Sequence, residues 1–256
     1  MRLLTIAFSL LALNGDTSVL QSFERGQVNW TNLTITAPGN GIPDLKAPNV
    51  AAARRAAERV AKLSGVAGVL YTLRQVRLTS DETVDARLRN AADTQAQLDG
   101  WVKDYKLLDT KYYSDGGVDV VLQVPLWGKL LVFMLPQAGT VRPASAKNGH
   151  TGVVVDAKGL QLEPALAPRL LRETGEVAYG AAFVQHEALQ QRGIAAYAPS
   201  LDAALRLERV GDKPLVLRAL RLWGDNRVDL VLKDDDAARL ATLGGALAEG
   251  RVVLVQ

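Results

Sequence analysis

Apolar and polar residues alternate over residues 27–36, where Val, Trp, Leu and Ile stand among Asn and Thr. A two-residue period is typical of a strand with one buried face, although the phase shifts near Asn32. The segment that follows, residues 37–48, is rich in Gly and Pro, and its composition predicts a turn.

The next pattern has a helical period. Asn49 stands where an N-cap belongs, directly after Pro48. The apolar stripe that follows is made mostly of small residues: Val50, Ala53, Ala57, Val60, Ala61, Ser64, Ala67 and Leu70. A stripe so rich in small side chains predicts a helix that lies close to a sheet.

Three further elements complete a first module, residues 20–135. A short strand is predicted at residues 73–78, and a polar helix at residues 83–98. Residues 101–113 and 117–125 then predict two strands, joined by the Ser-Asp-Gly-Gly turn as a hairpin.

Residues 136–150 are rich in Pro, Gly, Ala and Ser without apolar periodicity, which indicates a linker. A second module, residues 151–256, follows it. It opens with a buried strand at residues 151–160 whose polar exit is Asp156. A hairpin at residues 170–179 and a short helix at residues 200–209 come next.

The C-terminal pattern is the clearest in the chain. Residues 214–223 predict a strand, a Gly-Asp-Asn turn reverses it, and residues 227–232 pair back. Asp234 or Asp235 is expected to cap a helix, and residues 251–256 form a last strand in the same sheet. The fold class predicted is α/β (α+β): two small mixed-sheet modules, each with helices packed on one face.

Composition narrows the function. The apolar share is 48%, sufficient for a core, and the net charge of +3 comes from interspersed charges. No basic tract typical of nucleic-acid binding is present, so no nucleic-acid partner is expected. The absence of cysteine excludes disulfides, thiolate metal sites, cysteine nucleophiles and lipoprotein acylation.

Residues 1–19 predict a signal peptide. Arg2 supplies the positive charge, and the apolar run at residues 3–13 has the length of a signal-peptide core but is too short to span a bilayer. Cleavage is expected between residues 14 and 19, although no Ala-x-Ala site is present. The alternative is an apolar N-terminal strand or helix packed in the core. No other segment predicts a membrane span, since residues 127–135 are short and contain Lys129.

Candidate chemistry is sparse. His150 and His186 lack ligand-spaced partners, so neither predicts a metal site. Asp156 ends an apolar strand, where a nucleophilic Asp can stand, and a hydrolase using Asp156 and Asp229 is the least favoured reading. The run of Asp234 to Asp236 fits a helix start better than a cation site. We therefore predict no catalytic residue, cofactor or metal, and no enzyme.

Two surfaces leave alternatives open. The basic helix face, with Arg54, Arg55, Arg59 and Lys62, could contact anionic lipid or nucleic acid, but Glu58 interrupts it and such faces are usually solvated. The four Trp residues are spread along the chain and predict anchors of the core or of a subunit contact.

The first half resembles a family. The Trp-containing strand at residues 28–41, the Ala-rich helix at residues 47–63, Val76–Leu78 and the strands at residues 112–126 are similar to the N-terminal domain of the flagellar assembly protein FlgT. They also resemble FlgP and related small outer-membrane lipoproteins, although the lack of Cys excludes the lipoprotein form. The second half resembles an extension found in uncharacterised secreted proteins.

The resemblance implies a non-enzymatic, exported envelope protein, periplasmic or associated peripherally with the outer membrane. Members of this family assemble as rings or sit at the outer membrane, which implies a scaffold that binds copies of itself or envelope machinery through strand edges and helix faces. The alternative is a periplasmic module that binds a small ligand or glycan at the turn of residues 39–45 or between the modules.

Overall fold

A computed structural model describes residues 17–92, 94–141 and 149–256. Most of the predicted signal peptide and the middle of the predicted linker lie outside these residues. The predicted α+β class is confirmed, because the described chain combines several small sheets with helices.

In the part of the first half that the structure describes, there are five strands and four helices. They are β1 (Leu20–Phe23), β2 (Gly26–Asn29), β3 (Thr34–Gly41), α1 (Val50–Gln75), α2 (Val84–Arg89), α3 (Thr94–Val102), β4 (Lys106–Tyr112), β5 (Val118–Pro125) and α4 (Lys129–Met134). The strands form one antiparallel sheet in the order β1-β2-β3-β5-β4. In this sheet β5 pairs on both sides, whereas β4 is an outer strand.

Helix α1 covers one face of this sheet at very short range. A Cβ added to Gly41 would lie 1.8 Å from the Ala57 carbonyl oxygen, and one added to Gly39 would lie 2.1 Å from that of Ala61. Only glycine therefore fits at these two strand positions. The predicted small-residue helix against a sheet is confirmed.

Residues 149–256 contain eight strands and four α-helices. They are β6 (Val153–Asp156), β7 (Leu170–Leu171), β8 (Val177–Tyr179), α5 (His186–Arg192), β9 (Ala196–Ala198), α6 (Leu201–Leu205), β10 (Leu215–Arg218), β11 (Arg221–Trp223), β12 (Asp229–Val231), α7 (Asp234–Ala241), α8 (Gly244–Ala248) and β13 (Val252–Val255). A parallel sheet has the order β10-β6-β13-β9, and a mixed sheet has the order β11-β12-β7-β8.

The two halves share a core. The Trp30 and Tyr197 rings meet edge to face with centroids 5.6 Å apart, and the Tyr197 N–H donates to the Trp30 carbonyl at 3.2 Å. Backbone bonds from Leu166 to Arg77 and from Ala167 to Leu78 add a second junction. One buried apolar cluster runs through both halves.

Several sequence-based boundaries in the first half are wrong. Residues 27–36 form two strands with a turn between them, and β3 continues to Gly41 through the predicted turn. Helix α1 runs to Gln75, where a strand was predicted. The predicted helix at residues 83–98 is two helices. Residue propensity is misleading here. Strand β3 carries Gly, Ala and Pro where α1 crosses it, because larger side chains would collide with the helix, and the same composition is typical of a turn.

Two C-terminal predictions are also wrong. Residues 214–223 form β10 and β11, which belong to different sheets, so the last strand does not join the hairpin before it. Helix α7 begins after Lys233 without a side-chain cap bond. The Asp234 carboxylate instead accepts a bond from the Glu173 N–H at 3.3 Å, and the acidic first turn faces the positive end of the helix dipole.

Candidate interaction surface

The two acidic residues of the hydrolase hypothesis belong to different sheets. Asp156 ends β6, and its carboxylate accepts the Lys158 N–H at 3.0 Å, which makes it a turn residue at a strand end. Asp229 begins β12 and is fully buried. The two carboxylates are thus built into different local structures.

Asp229 is occupied by a structural ion pair. One of its oxygens accepts the Arg169 main-chain N–H at 2.9 Å, and the other accepts the guanidinium Nε at 2.9 Å and Nη2 at 2.6 Å. This pair raises the pKa of Arg169 above its usual value. Because these three bonds occupy both of its oxygens, the Asp229 carboxylate is poorly placed to act as a nucleophile or base.

The same guanidinium reaches into the first half. Arg169 Nη2 donates to the Ser80 hydroxyl at 2.6 Å and lies 3.5 Å from the Asp81 carboxylate. The Asn226 amide donates to the Ser80 carbonyl at 2.6 Å. These groups, Arg169, Asp229, Ser80 and Asn226, form what we call the clasp, a polar fastening between the halves.

The other predicted candidates stay apart. His150 is partly buried and its Nδ1 lies 3.3 Å from the Lys213 carbonyl oxygen, while His186 is exposed at the start of α5. Among the described residues, no group of three His, Asp or Glu side chains is placed to hold a metal ion.

A buried cation in the second half is likewise structural. Arg209 donates to three carbonyl oxygens, those of Arg192 (2.7 Å), Gly193 (2.9 Å) and Gly250 (2.9 Å). Burial lowers the pKa of Arg209 to about 10, so the group stays charged at neutral pH. It fastens the end of α5 to the turn before β13.

The basic face of α1 is largely solvated. Lys62 is paired with Glu58 at 2.6 Å one turn away, and this bond raises the pKa of Lys62. Arg54 instead stacks over the Tyr112 ring at 5.5 Å, which connects the start of α1 to the outer strand β4. Because Tyr112 belongs to β4, the helix face and the strand edge form one continuous surface.

A shallow groove lies where α1 begins. Its volume is about 280 Å³, and its lining is mixed: Pro43, Asp44, Leu45, Ala47, Asn49, Val50, Ala53 and Asp115. Most of the polar groups already serve the local backbone, because Asn49 caps α1, Asp44 accepts from Lys46 and Asp115 accepts from Gly117. The groove therefore offers few free polar groups to a ligand.

Large apolar side chains are exposed around this groove. Ile42 is 83% exposed, Leu45 is 92% exposed and Val50 is 64% exposed. Together with Tyr112, these residues are called the apolar rim. Exposed apolar residues that cluster beside one another are typical of a surface that binds another macromolecule.

The outer strand β4 adjoins the rim and adds its own apolar residues, Leu107 and Leu108, which are 43% and 52% exposed. It pairs with β5 on one side, and within the described residues no strand pairs with its other side. An open strand edge is a template for pairing with another chain. The rim and the β4 edge form the candidate interaction surface.

Sequence reasoning missed this surface in part. Val50 and Val60 were assigned to the buried stripe of α1, but the buried residues are Ala57, Ala61, Gly65, Gly68, Val69, Thr72 and Leu73. A sequence signal for the buried face of α1 was available, because Gly65 and Gly68 lie three residues apart on the helix face that contacts the sheet. Leu45 fell in a predicted turn, where its hydrophobicity carried no weight.

A protein-family comparison gives a match on the second half. Residues 152–256 are similar to the family described as the second domain of Treponema pallidum Tp0624. This range contains β6 to β13 and excludes the five-stranded sheet. Comparison with curated proteins gives no match for this chain. Among the described helices, none is both long and apolar enough to cross a membrane.

Proposed function

We propose that this protein is a non-enzymatic, exported envelope component that assembles with copies of itself or docks on a larger periplasmic or outer-membrane structure. The observation that carries the proposal is the β4 edge flanked by the apolar rim. It combines a strand edge that pairs with no other strand of the described chain with exposed apolar side chains, which is the composition of a protein-binding edge.

The use of the buried charged groups supports the non-enzymatic part. Asp229 and Arg169 form an ion pair, and the Arg209 guanidinium donates hydrogen bonds to backbone carbonyl oxygens. Catalytic sites keep a perturbed acid or base open to a substrate cleft. Here the perturbed groups fasten elements of the fold together.

Export rests on the N-terminal pattern and on the resemblance of the first half to FlgT-like and FlgP-like proteins. Arg2 and the apolar run at residues 3–13 supply the charge and the hydrophobic core of a signal peptide. The similarity of the second half to a Treponema pallidum domain concerns another protein and adds no activity.

A rim substitution tests the docking function. Leu45→Glu should reduce the sedimentation coefficient of the native assembly or its recovery with envelope components, because a charge replaces an exposed apolar contact. Leu63→Glu is the matched control: Leu63 is 69% exposed on α1 but lies outside the rim. Equal behaviour of Leu45→Glu and wild type in both assays would reject the rim as a docking surface.

The alternative is a module that binds a small ligand or glycan, and the groove beside residues 43–50 is the observation that favours it. Calorimetric titration with envelope glycans would separate the two. A dissociation constant that weakens in Ala53→Trp, which would fill the groove, would favour the ligand-binding module over the scaffold.

A further inference from the structure

The backbone of β4 presents specific groups to solvent. The Tyr113 N–H donates to the Gly117 carbonyl at 2.9 Å, so Tyr113 faces β5. Backbone groups alternate in direction along an antiparallel strand, so Lys111 and Asp109 also face β5, whereas Thr110 and Tyr112 face outward. The Thr110 N–H confirms this direction, because it donates to the Asp109 carboxylate at 2.8 Å.

This alternation restricts how a second β4 could pair. In an antiparallel ladder, outward residues must lie opposite outward residues, so a two-fold axis passes through a residue and not between two residues. An axis at Asp109 would place two carboxylates opposite each other, and an axis at Lys111 would place two ammonium groups opposite each other. An axis at Thr110 places Asp109 of each copy opposite Lys111 of the other.

We propose that β4 pairs antiparallel with β4 of a second copy of this chain about a two-fold axis at Thr110, which joins two five-stranded sheets into one. The two Thr110 residues exchange backbone hydrogen bonds, and two Asp109–Lys111 pairs lie beside them. Opposite charges directly across a strand pair are stabilising, and like charges are destabilising. This inference rests on the proposed assembly function and names its partner and its register.

The side chain next to the charged pairs is also exposed in the single chain. Tyr112, directly after Lys111, is 51% exposed. Pairing would cover part of it. A C2 contact of this type is self-complementary, as a symmetric dimer requires.

Two features guard the edge against other partners. The register shift between Leu107 and Asp109 bulges the strand, which limits the straight segment to its last residues. The Asp109 carboxylate also occupies the Thr110 N–H until a partner displaces it. A neutral strand offers the displaced carboxylate no new partner, whereas a second β4 offers it the Lys111 ammonium group.

A cross-link at the axis tests the geometry. The chain contains no cysteine, so Thr110→Cys gives a unique thiol. Hydrogen-bonded antiparallel pairs hold their Cα atoms about 5.5 Å apart, within disulfide range. Mild oxidation should give a covalent dimer of this variant. Ser114→Cys is the control, since its two thiols would lie roughly 27 Å apart along eight residues of strand.

A charge exchange tests the register. Lys111→Glu should weaken self-association at least about tenfold in sedimentation equilibrium, because both cross-strand pairs become repulsive. The double variant Asp109→Lys with Lys111→Asp restores opposite charges and should recover association. Lys106→Glu is the matched control, because position 106 would face Ser114 beyond the end of the strand. Circular dichroism checks that each variant is folded.

The outcomes separate this inference from the proposed function. Oligomers that persist in Lys111→Glu, with no cross-link in Thr110→Cys, would overturn β4 pairing and leave assembly through another surface. A wild-type protein that stays monomeric at all concentrations would also overturn it, and the scaffold proposal would then depend on docking to other proteins through the rim. Cross-linking together with rescue by the charge exchange would support both.

Discussion

The two halves of the molecule use their strands in opposite ways. In the second half, β9, β12 and β13 are buried along their whole length. In the first half, β4 is exposed at six of its seven positions. These three strands therefore serve the core, although β10 and β11 have exposed positions. The first half instead keeps β4 and its neighbours available at the surface, where we propose that binding occurs.

The clasp between the halves stabilises the fold, and we expect Asp229→Asn to have the largest destabilising effect. The substitution leaves the Arg169 guanidinium without its buried partner, and we expect a loss of about 3 kcal/mol in the free energy of unfolding. Urea denaturation measures this loss. Asp81→Asn is the control, because Asp81 is exposed, 3.5 Å from Arg169, and should cost less than about 1 kcal/mol. Equal losses of stability in the two variants would show that the clasp does not stabilise the junction.

The next largest effect is expected at the contact between α1 and the first sheet. Gly41→Ala should destabilise the protein by about 2 kcal/mol, because the new Cβ would collide with the Ala57 backbone. Gly100→Ala in α3 is the matched control, since nothing lies within 4 Å of the added Cβ, and it should stabilise by up to about 1 kcal/mol. Thermal melting compares them, and a neutral Gly41→Ala would contradict the close approach.

The buried hydroxyl of Tyr197 makes two hydrogen bonds inside the core. It accepts the Ala165 N–H and donates to the Ala165 carbonyl, both at 2.9 Å. Tyr197→Phe leaves both groups buried without that partner, so we expect a loss of about 1.5 kcal/mol in urea denaturation. Tyr112→Phe, at the exposed edge, should be neutral. A neutral Tyr197→Phe would show that these bonds contribute little.

The smallest effect is a pH dependence in the first half. The Arg74 guanidinium on α1, helped by Arg89, lowers the pKa of Asp85 on α2. The stabilisation is present above the unfolded pKa near 3.9 and is lost as pH falls through the lower folded pKa. We expect at most about 1 kcal/mol between neutral pH and about pH 3. Asp85→Asn should remove this pH dependence from the midpoint of urea denaturation. An unchanged pH dependence in the variant would show that other groups cause it.

The sequence predicted the parts of the fold that depend on local pattern. The Ala-rich helix, the hairpin between β4 and β5, and the hairpin of β7 and β8 are all present. Their signals are local: a helical stripe beginning at an N-cap, and Gly-rich turns between alternating residues. Trp30 and Trp101 lie in the core, as expected of anchors, although Trp223 is 37% exposed.

The rest depended on contacts between distant residues. Residues 214–223 look like one strand, but the chain turns at Ala219 and Leu220 so that β10 and β11 serve different sheets. The fate of Asp229 was equally hidden, since its partner Arg169 is 60 residues away. The candidate surface could be predicted only in part. The apolar residues of the rim can be read from the sequence, but their exposure depends on which face of α1 contacts the sheet, and that face is marked by Gly65 and Gly68.

Export and assembly can be tested together by the native mass of the protein isolated from the periplasm of its own host. Mass spectrometry reports the N-terminus and the assembly state in one experiment. We expect a chain that begins between Asp16 and Leu20 and is found in a homo-oligomer or with envelope components. A monomer with an intact Met1 would contradict both export and assembly.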